Sequence, residues 1–246
     1  MTKCEFIRKL PGFCAPNLET LDLGGCGNLT EVHDNIGLLD KLKYWILKDC
    51  KRLKILPSNL NLKSLEFFTL EGCKRLKKFP QIHPEMKCLK NLYVHLGGTS
   101  IRKLPSSLRY LTSGLEFLYL REIQNLDLSF AQYGFKSLTY LDLSNFDRNM
   151  VDLYIWLRPD YFPVLETLSL YKSNVVTITE SITKFTKLQF LDLTDCKQLQ
   201  EIPRLPQSIV RLEARGCRSL DLQASQRLLD QVSFYLSIIV TFLNYV

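Results

Sequence analysis

The chain has little on which a reactive centre could be built. It holds three histidines in 246 residues, and no two cysteines stand in a C-x-x-C pair. The ligand spacing typical of zinc is therefore missing. No G-x-x-x-x-G-K-[ST] run is present either, because Gly24-Gly25-Cys26-Gly27 and Gly97-Gly98 lack the lysine with which such a loop grips a phosphate. His33, His83 and His95 share no phase with one another, so neither a metal site nor a Cys–His nucleophile pair is expected, and surface positions are expected for all three. No cofactor is implied.

Long apolar runs are also scarce. The N-terminus, MTKCEFIRKLPGFC, lacks the apolar stretch of about 7 to 15 residues that marks a secretory signal. A reducing compartment, cytoplasm or nucleus, is expected, with the eight cysteines as thiols. The apolar tail SFYLSIIVTFLNYV, Ser233 to Val246, is shorter than the about 20 residues a helix needs to cross a bilayer. A composition of 46% hydrophobic and 23% charged residues belongs to a folded chain with a large core. The net charge of +7 gives general attraction to polyanions at low salt, without marking a specific nucleic-acid site.

What is present is repetition. CKRLK occurs at Cys50–Lys54 and again at Cys73–Lys77, inside longer units that begin LETLDL at Leu18, LKYWIL at Leu42 and LEFFTL at Leu65. A degenerate unit, LKNLYVHLGGTSIRKLP, starts at Leu89 and carries about two extra residues. Further units begin at Leu115, Leu138, Leu165 and Leu188, with an altered one at Ile209. A period of roughly 20 to 29 residues with L-x-x-L-x-L-x-x-C/N-x-L is the leucine-rich repeat. The period-2 alternation within each unit puts its leucines on one side of a short strand, and only stacking hides that side. The fold expected is an α/β solenoid, a right-handed horseshoe with a parallel sheet on its concave face.

Phase explains the cysteines. Cys4, Cys26, Cys50, Cys73, Cys196 and Cys217 each stand three residues before an apolar residue of the repeat, a place for a small buried side chain. Side chains of a parallel ladder run side by side, which argues against disulfides between neighbouring units. Lys51, Arg52, Lys54, Lys74, Arg75, Lys77 and Lys78 should face solvent between buried positions. Prolines follow apolar positions at Leu10, Leu56, Phe79, Leu104 and Ile202, so the back of the solenoid should be extended and thin.

The pattern LxxLxLxxCxxLxxLP, with GTSIRKLPSSL at Gly98–Leu108 and LTDCKQLQEIPRLPQSIVRLEARGCRSLD at Leu193–Asp221, closely resembles the repeats of plant intracellular immune receptors of the TIR-type nucleotide-binding leucine-rich-repeat class. That resemblance covers roughly residues 4 to 230. It implies a non-enzymatic module for protein interaction, which recognises a pathogen effector or a guarded host protein, or contributes to autoinhibition against a nucleotide-binding domain. A regulatory or scaffolding subunit that inhibits or positions a host enzyme is the alternative. Residues 1–17 are expected to be a partial, uncapped repeat, 18–230 a domain of about nine repeats and 231–246 an apolar tail that forms an extra cap or a loosely packed end. Because the chain opens inside a partial repeat, it is expected to be a fragment, a truncated product or a gene-model artefact.

Binding residues are expected among the non-leucine positions of the strands. Tyr44, Phe67, Phe117, Tyr140 and Phe190 precede the second leucine, Tyr119 lies between strand leucines, and Lys48, Arg121, Tyr171 and Lys172 follow. Aromatic residues with a few charges on an open sheet have the composition of protein-binding hot spots. The same aromatics could instead stack on one another and only stabilise the sheet. Sequence leaves both open.

Overall fold

The computed structural model describes residues 4–146, 153–220 and 239–241. Ten short parallel strands form one sheet, and each pairs with its neighbours in chain order. In that order the rungs are Thr20–Asp22, Tyr44–Ile46, Phe67–Thr69, Leu92–His95, Leu115–Tyr119, Tyr140–Asp142, Thr167–Ser169, Phe190–Asp192, Arg211–Glu213 and Ile239–Thr241. The last continues the sheet with three residues of the apolar tail, Arg211 pairing with Ile239. The rest of that tail, and the expectation of a cap or a loose end, lies outside the described residues.

Alternation decides which side of each strand is core. Trp45, Phe68, Val94, Leu118, Leu141, Leu168, Leu191 and Leu212 stand in register, and all are buried. Trp45 and Phe68 stack with ring centroids 4.7 Å apart. Two residues on, Leu47, Leu70, Leu96, Leu120, Leu143, Leu170 and Leu193 form a second buried row. Each such side chain contributes about 1.5 to 3 kcal/mol by leaving water, a gain that requires a neighbouring rung.

A tight turn follows each of the first nine strands. Its third residue has positive φ in all of the first nine rungs, between 54° and 74°: Gly25, Asp49, Gly72, Gly98, Glu122, Asn145, Lys172, Asp195 and Gly216. With Cys50 N donating to Leu47 O and Cys73 N to Leu70 O, the geometry is that of a type II turn, whose third residue must be left-handed. The same residue's N–H donates to a carbonyl of the following rung at 2.6 to 2.9 Å, from Gly25 to Lys48 through Asp195 to Arg215. The turn is thus part of the ladder.

The cysteine position closes that turn. Cys50, Cys73, Cys196 and Cys217 are buried, and each thiol donates at 3.1 Å to the carbonyl of the last strand leucine one rung back, Leu23, Leu47, Leu170 and Leu193. Thr99, Ile123, Phe146 and Ser173 fill the same buried place in the middle rungs. No disulfide joins any of the eight cysteines, and Cys14 and Cys88 are exposed.

The outer side is thin, as the prolines imply. Lys9–Leu10 pairs with Glu31–Val32, and Asn59–Leu60 with Gln81–Ile82, two residues each. Single 3-10 turns follow at Asp34–Leu38, Pro84–Cys88, Ser106–Leu111, Leu128–Tyr133 and Glu180–Lys184.

Three sequence expectations need correction. His33 and His83 do share a repeat position: each precedes a 3-10 turn and accepts through Nδ1 from the N–H two residues on, Asn35 and Glu85. Loop lengths differ between those units, which hid the match. His95 is buried, at 7% exposure, and not on the surface. In the degenerate unit the ladder pairs Tyr93 with Phe67 and with Phe117, across a register shift at Leu92/Tyr93. The extra residues therefore precede the strand, and Tyr93 and His95 enter the sheet in line with the aromatic positions.

Replacing Leu70 with alanine empties a fully buried site and should cost about 2 to 5 kcal/mol. Gly72→Ala should cost about 1 to 2 kcal/mol. At φ +73° its Cβ would also stand 2.5 Å from Asp49 Oδ1. Urea denaturation midpoints of both variants check this, with a midpoint unchanged at Gly72 contradicting the turn argument.

Candidate functional site

Register lays three rows along the concave face. The first contains Tyr44, Phe67, Tyr93, Phe117, Tyr140 and Phe190, with Thr20, Thr167 and Arg211 completing it. The second runs Asp22, Ile46, Thr69, His95, Tyr119, Asp142, Ser169, Asp192 and Glu213. The third, at strand ends, includes Lys48, Glu71, Gly97, Arg121 and Tyr171, each accepting from a turn N–H of the preceding rung. Nine of the ten residues expected from sequence thus share one face. Lys172 instead occupies the left-handed turn position, with its ammonium 5.0 Å from the Tyr171 ring centre.

The aromatic rings pack on one another. Phe67, Tyr93, Tyr119 and Tyr140 form a continuous stack, with successive centroids 4.5, 4.7 and 4.6 Å apart. Phe117 flanks this stack, 6.0 Å from Tyr93 and 6.3 Å from Tyr140. Ring faces are therefore used internally, and the four rings of the stack are half-buried. Arg211 covers the Phe190 ring at 4.9 Å, and the Tyr44 hydroxyl donates to Glu66 at 3.0 Å. Burial holds the Tyr93, Tyr119 and Tyr140 hydroxyls above their usual range, so they remain protonated donors at neutral pH.

Beside the stack lies a charge cluster centred on Glu71, a residue the sequence reading did not single out. Its carboxylate takes Lys48 Nζ at 2.7 Å and Arg121 Nη2 at 2.5 Å, with His95 Nδ1 at 3.6 Å. Arg121 reaches Glu71 from two rungs away by crossing Gly97. A Cβ on Gly97 would stand 2.8 Å from both Arg121 Cγ and His95 Nε2, so a bare backbone is what lets the arginine pass. Burial pushes the Glu71 carboxyl up, but the Lys48 hydrogen bond and the charges of His95, Lys48 and Arg121 outweigh it and hold the group below its usual range. Burial likewise lowers His95, against the attraction of Glu71.

The carboxylates of the second row have local work. Asp22, Asp142 and Asp192 each accept at 2.8 to 2.9 Å from the N–H two residues on, fixing the strand end. Ser169 links Ser144 at 2.9 Å to Asp192 at 3.3 Å, and Glu213 is held by Arg211 and Arg215. Burial raises the Cys26 and Cys196 thiols, and Cys217 is pushed up to about 12, which keeps them in the weakly reactive thiol form. Among the described residues no three His, Cys, Asp or Glu side chains converge as a metal ion would need, and no helix is long and apolar enough to cross a membrane.

The cluster gives stability a pH dependence. His95 and Glu71 both have folded values below their ordinary ones, 6.5 and 4.5, so each contributes fully above that value and loses its contribution as pH falls. Thermal midpoints should fall on acidification from pH 6.5, first through His95 and then, below 4.5, through Glu71. The drop above pH 5 should shrink in His95→Gln, and an unchanged profile in that variant would contradict the assignment.

No family model matches the chain. Curated relatives do. The TMV resistance protein N of Nicotiana glutinosa is 27% identical over 281 residues, covering 84% of this chain and 24% of that protein. SUPPRESSOR OF npr1-1, CONSTITUTIVE 1 of Arabidopsis thaliana is 30% identical over 208 residues, covering 84% and 14%. Disease resistance protein RML1A of Arabidopsis thaliana is 31% identical over 217 residues, covering 87% and 18%. The chain therefore spans less than a quarter of the length of these three relatives. Among solved structures, a leucine-rich-repeat protein of Leptospira interrogans aligns over 92% of this chain and 73% of that one, at 20% identity and a TM-score of 0.45. The fold is a leucine-rich-repeat solenoid, and in sequence the chain is a leucine-rich-repeat region of the kind carried by plant disease resistance proteins of the TIR-type nucleotide-binding class.

Proposed function

We propose that the concave face is the recognition surface of a non-enzymatic immune-receptor module, acting in the cytoplasm or nucleus on a pathogen effector or a guarded host protein. In a longer receptor the same solenoid would also lie against a nucleotide-binding domain and restrain it. The observation that carries this reading is the half-buried aromatic stack flanked by Lys48, Glu71 and Arg121 on an open sheet. Aromatic residues and arginine dominate protein hot spots. Rings locked against their neighbours lose little further entropy when a partner arrives.

The kinship with disease resistance proteins supports an immune role, and the residue chemistry supports binding over turnover. The carboxylates of the face are occupied by turns and ion pairs, and the thiols of Cys26, Cys50, Cys73, Cys196 and Cys217 are buried. Tyr44, Phe117 and Arg121 are the residues to remove in a test, because they sit at the outer edge of the cluster and leave the central stack of Phe67, Tyr93, Tyr119 and Tyr140 in place.

The test is proximity labelling from the chain expressed in leaf cells, with and without pathogen challenge. The comparison is between the wild type, Y44A/F117A/R121A and an outer-face control, K63A/K87A/K184A. Neighbours enriched around the wild type should be lost from the concave variant and kept by the control, with both variants melting within a few degrees of wild type. Equal retention by the concave variant would overturn the reading.

A further inference from the structure

The positive charge of this protein is gathered on one flank. The second rung continues past its turn into Lys51, Arg52 and Lys54, and the third into Lys74, Arg75, Lys77 and Lys78, all exposed. On the fourth rung Arg102 and Lys103 take up the same flank, also exposed. The other 23 Lys and Arg of the chain are outnumbered by 25 Asp and Glu, so these nine cations exceed the whole surplus of +7.

These nine also stand close together on adjacent rungs. Some cations elsewhere are matched to carboxylates, as in Lys9 with Glu31, Lys43 with Glu19, Lys48 and Arg121 with Glu71, and Lys63 with Glu85. Among the described residues none of the nine lies within ion-pair distance of a carboxylate, and Arg52 donates to a neutral acceptor, Asn28 Oδ1, at 2.8 Å. Unmatched like charges on adjacent rungs repel, which costs stability and needs a compensating reason.

The flank is shaped as well as charged. Lys74 and Arg102 border an open cleft of ≈ 560 Å³ whose floor includes Thr99 and Ser100 and whose far side carries Gln124, Asn125 and Asn145. Thr99 is 5% exposed, and its Oγ1 has no hydrogen-bond partner within the protein. It replaces the cysteine that donates to the previous rung elsewhere, so the turn beneath the cleft lacks that inward bond, and the accessible polar groups of the cleft are those of its walls. The one carboxylate on the cleft wall, Glu122, stands on the rung beyond.

We propose that this flank is a second interaction surface, which binds an acidic polypeptide segment with its carboxylates over Lys74, Lys77 and Arg102. Hydroxyl and amide groups in the cleft suit a peptide backbone and carboxylate oxygens. Single-stranded nucleic acid is disfavoured, because base stacking needs exposed rings and the chain's aromatic row lies on the concave face. The surface is independent of the concave site and stands or falls separately.

Fluorescence anisotropy with a fluorescein-labelled decaglutamate peptide provides the test, with a single-stranded oligonucleotide as competitor. The peptide should bind at low ionic strength and weaken steeply with added salt. K74E/K77E/R102E should lose at least about tenfold in affinity, whereas the equal charge change K41E/K136E/K187E, on exposed cations elsewhere, should alter it less than about twofold. Glu122→Gln should bind more tightly and Y44A/F117A as wild type. The neutral variant K74Q/K77Q/R102Q gives the same comparison should the reversal fail to fold, which circular dichroism reports. Equal loss in both reversal variants would reduce the effect to net charge and overturn the proposal. So would absence of peptide binding, or an oligonucleotide that binds where the peptide does not.

Discussion

The whole solenoid depends on a backbone ladder that does not stop where the strands stop. Each strand contributes only a few pairs, too few to fix a rung by itself. The left-handed residue of each turn adds one more N–H to the next rung's carbonyl, and the buried thiol of several rungs adds a bond to the rung behind. Turns closed by Cys50, Cys73, Cys196 and Cys217 are therefore tied in both directions. Because a parallel arrangement has no hairpin to set its register, this double tie is what keeps leucine above leucine.

Much of this was legible because the leucine spacing is itself the fold's repeat length. Wherever the unit is 23 or 24 residues, as from Leu18 to Leu65, reading L-x-x-L-x-L gives the buried rows and the cysteine position directly. The reading slips where loop length changes before the strand. Phe67 and Tyr93 are ladder partners 26 residues apart, so a phase taken from Leu89 misses Tyr93 and His95, and His95 is consequently placed on the surface when it is core. The left-handed turn position was invisible for another reason. It is filled by glycine in four rungs but by Asp, Glu, Asn or Lys in five, and only the glycines carry a signal in sequence.

The Glu71 cluster could not be read from one-dimensional patterns at all. It requires a long side chain to pass over an intervening rung, and the condition for that is a glycine at 97 flanked by Glu71 and Arg121, which lie 50 residues apart. Nothing local to any of the three residues predicts the contact. Such a pair becomes recognisable only once the third row is written out rung by rung, with a small residue between two opposite charges.

Stacking and recognition need not compete for the same aromatic residues. A ring that packs face to face with its neighbours in the ladder is held at a fixed height and tilt, and its edge and hydroxyl then form part of a rigid surface. Had Phe67, Tyr93, Tyr119 and Tyr140 been free to rotate, a partner would have to order them one by one, at a cost of about 0.5 to 1.5 kcal/mol for each side chain fixed. The stack absorbs that cost when the domain folds. The charge cluster beside it works the same way, since Arg121 and Lys48 are already held by Glu71 while still half exposed. The cations of the flank have no carboxylate to hold them and stand exposed, so the two surfaces suit different chemistry: a preorganised face for shape, and a diffuse field for charge.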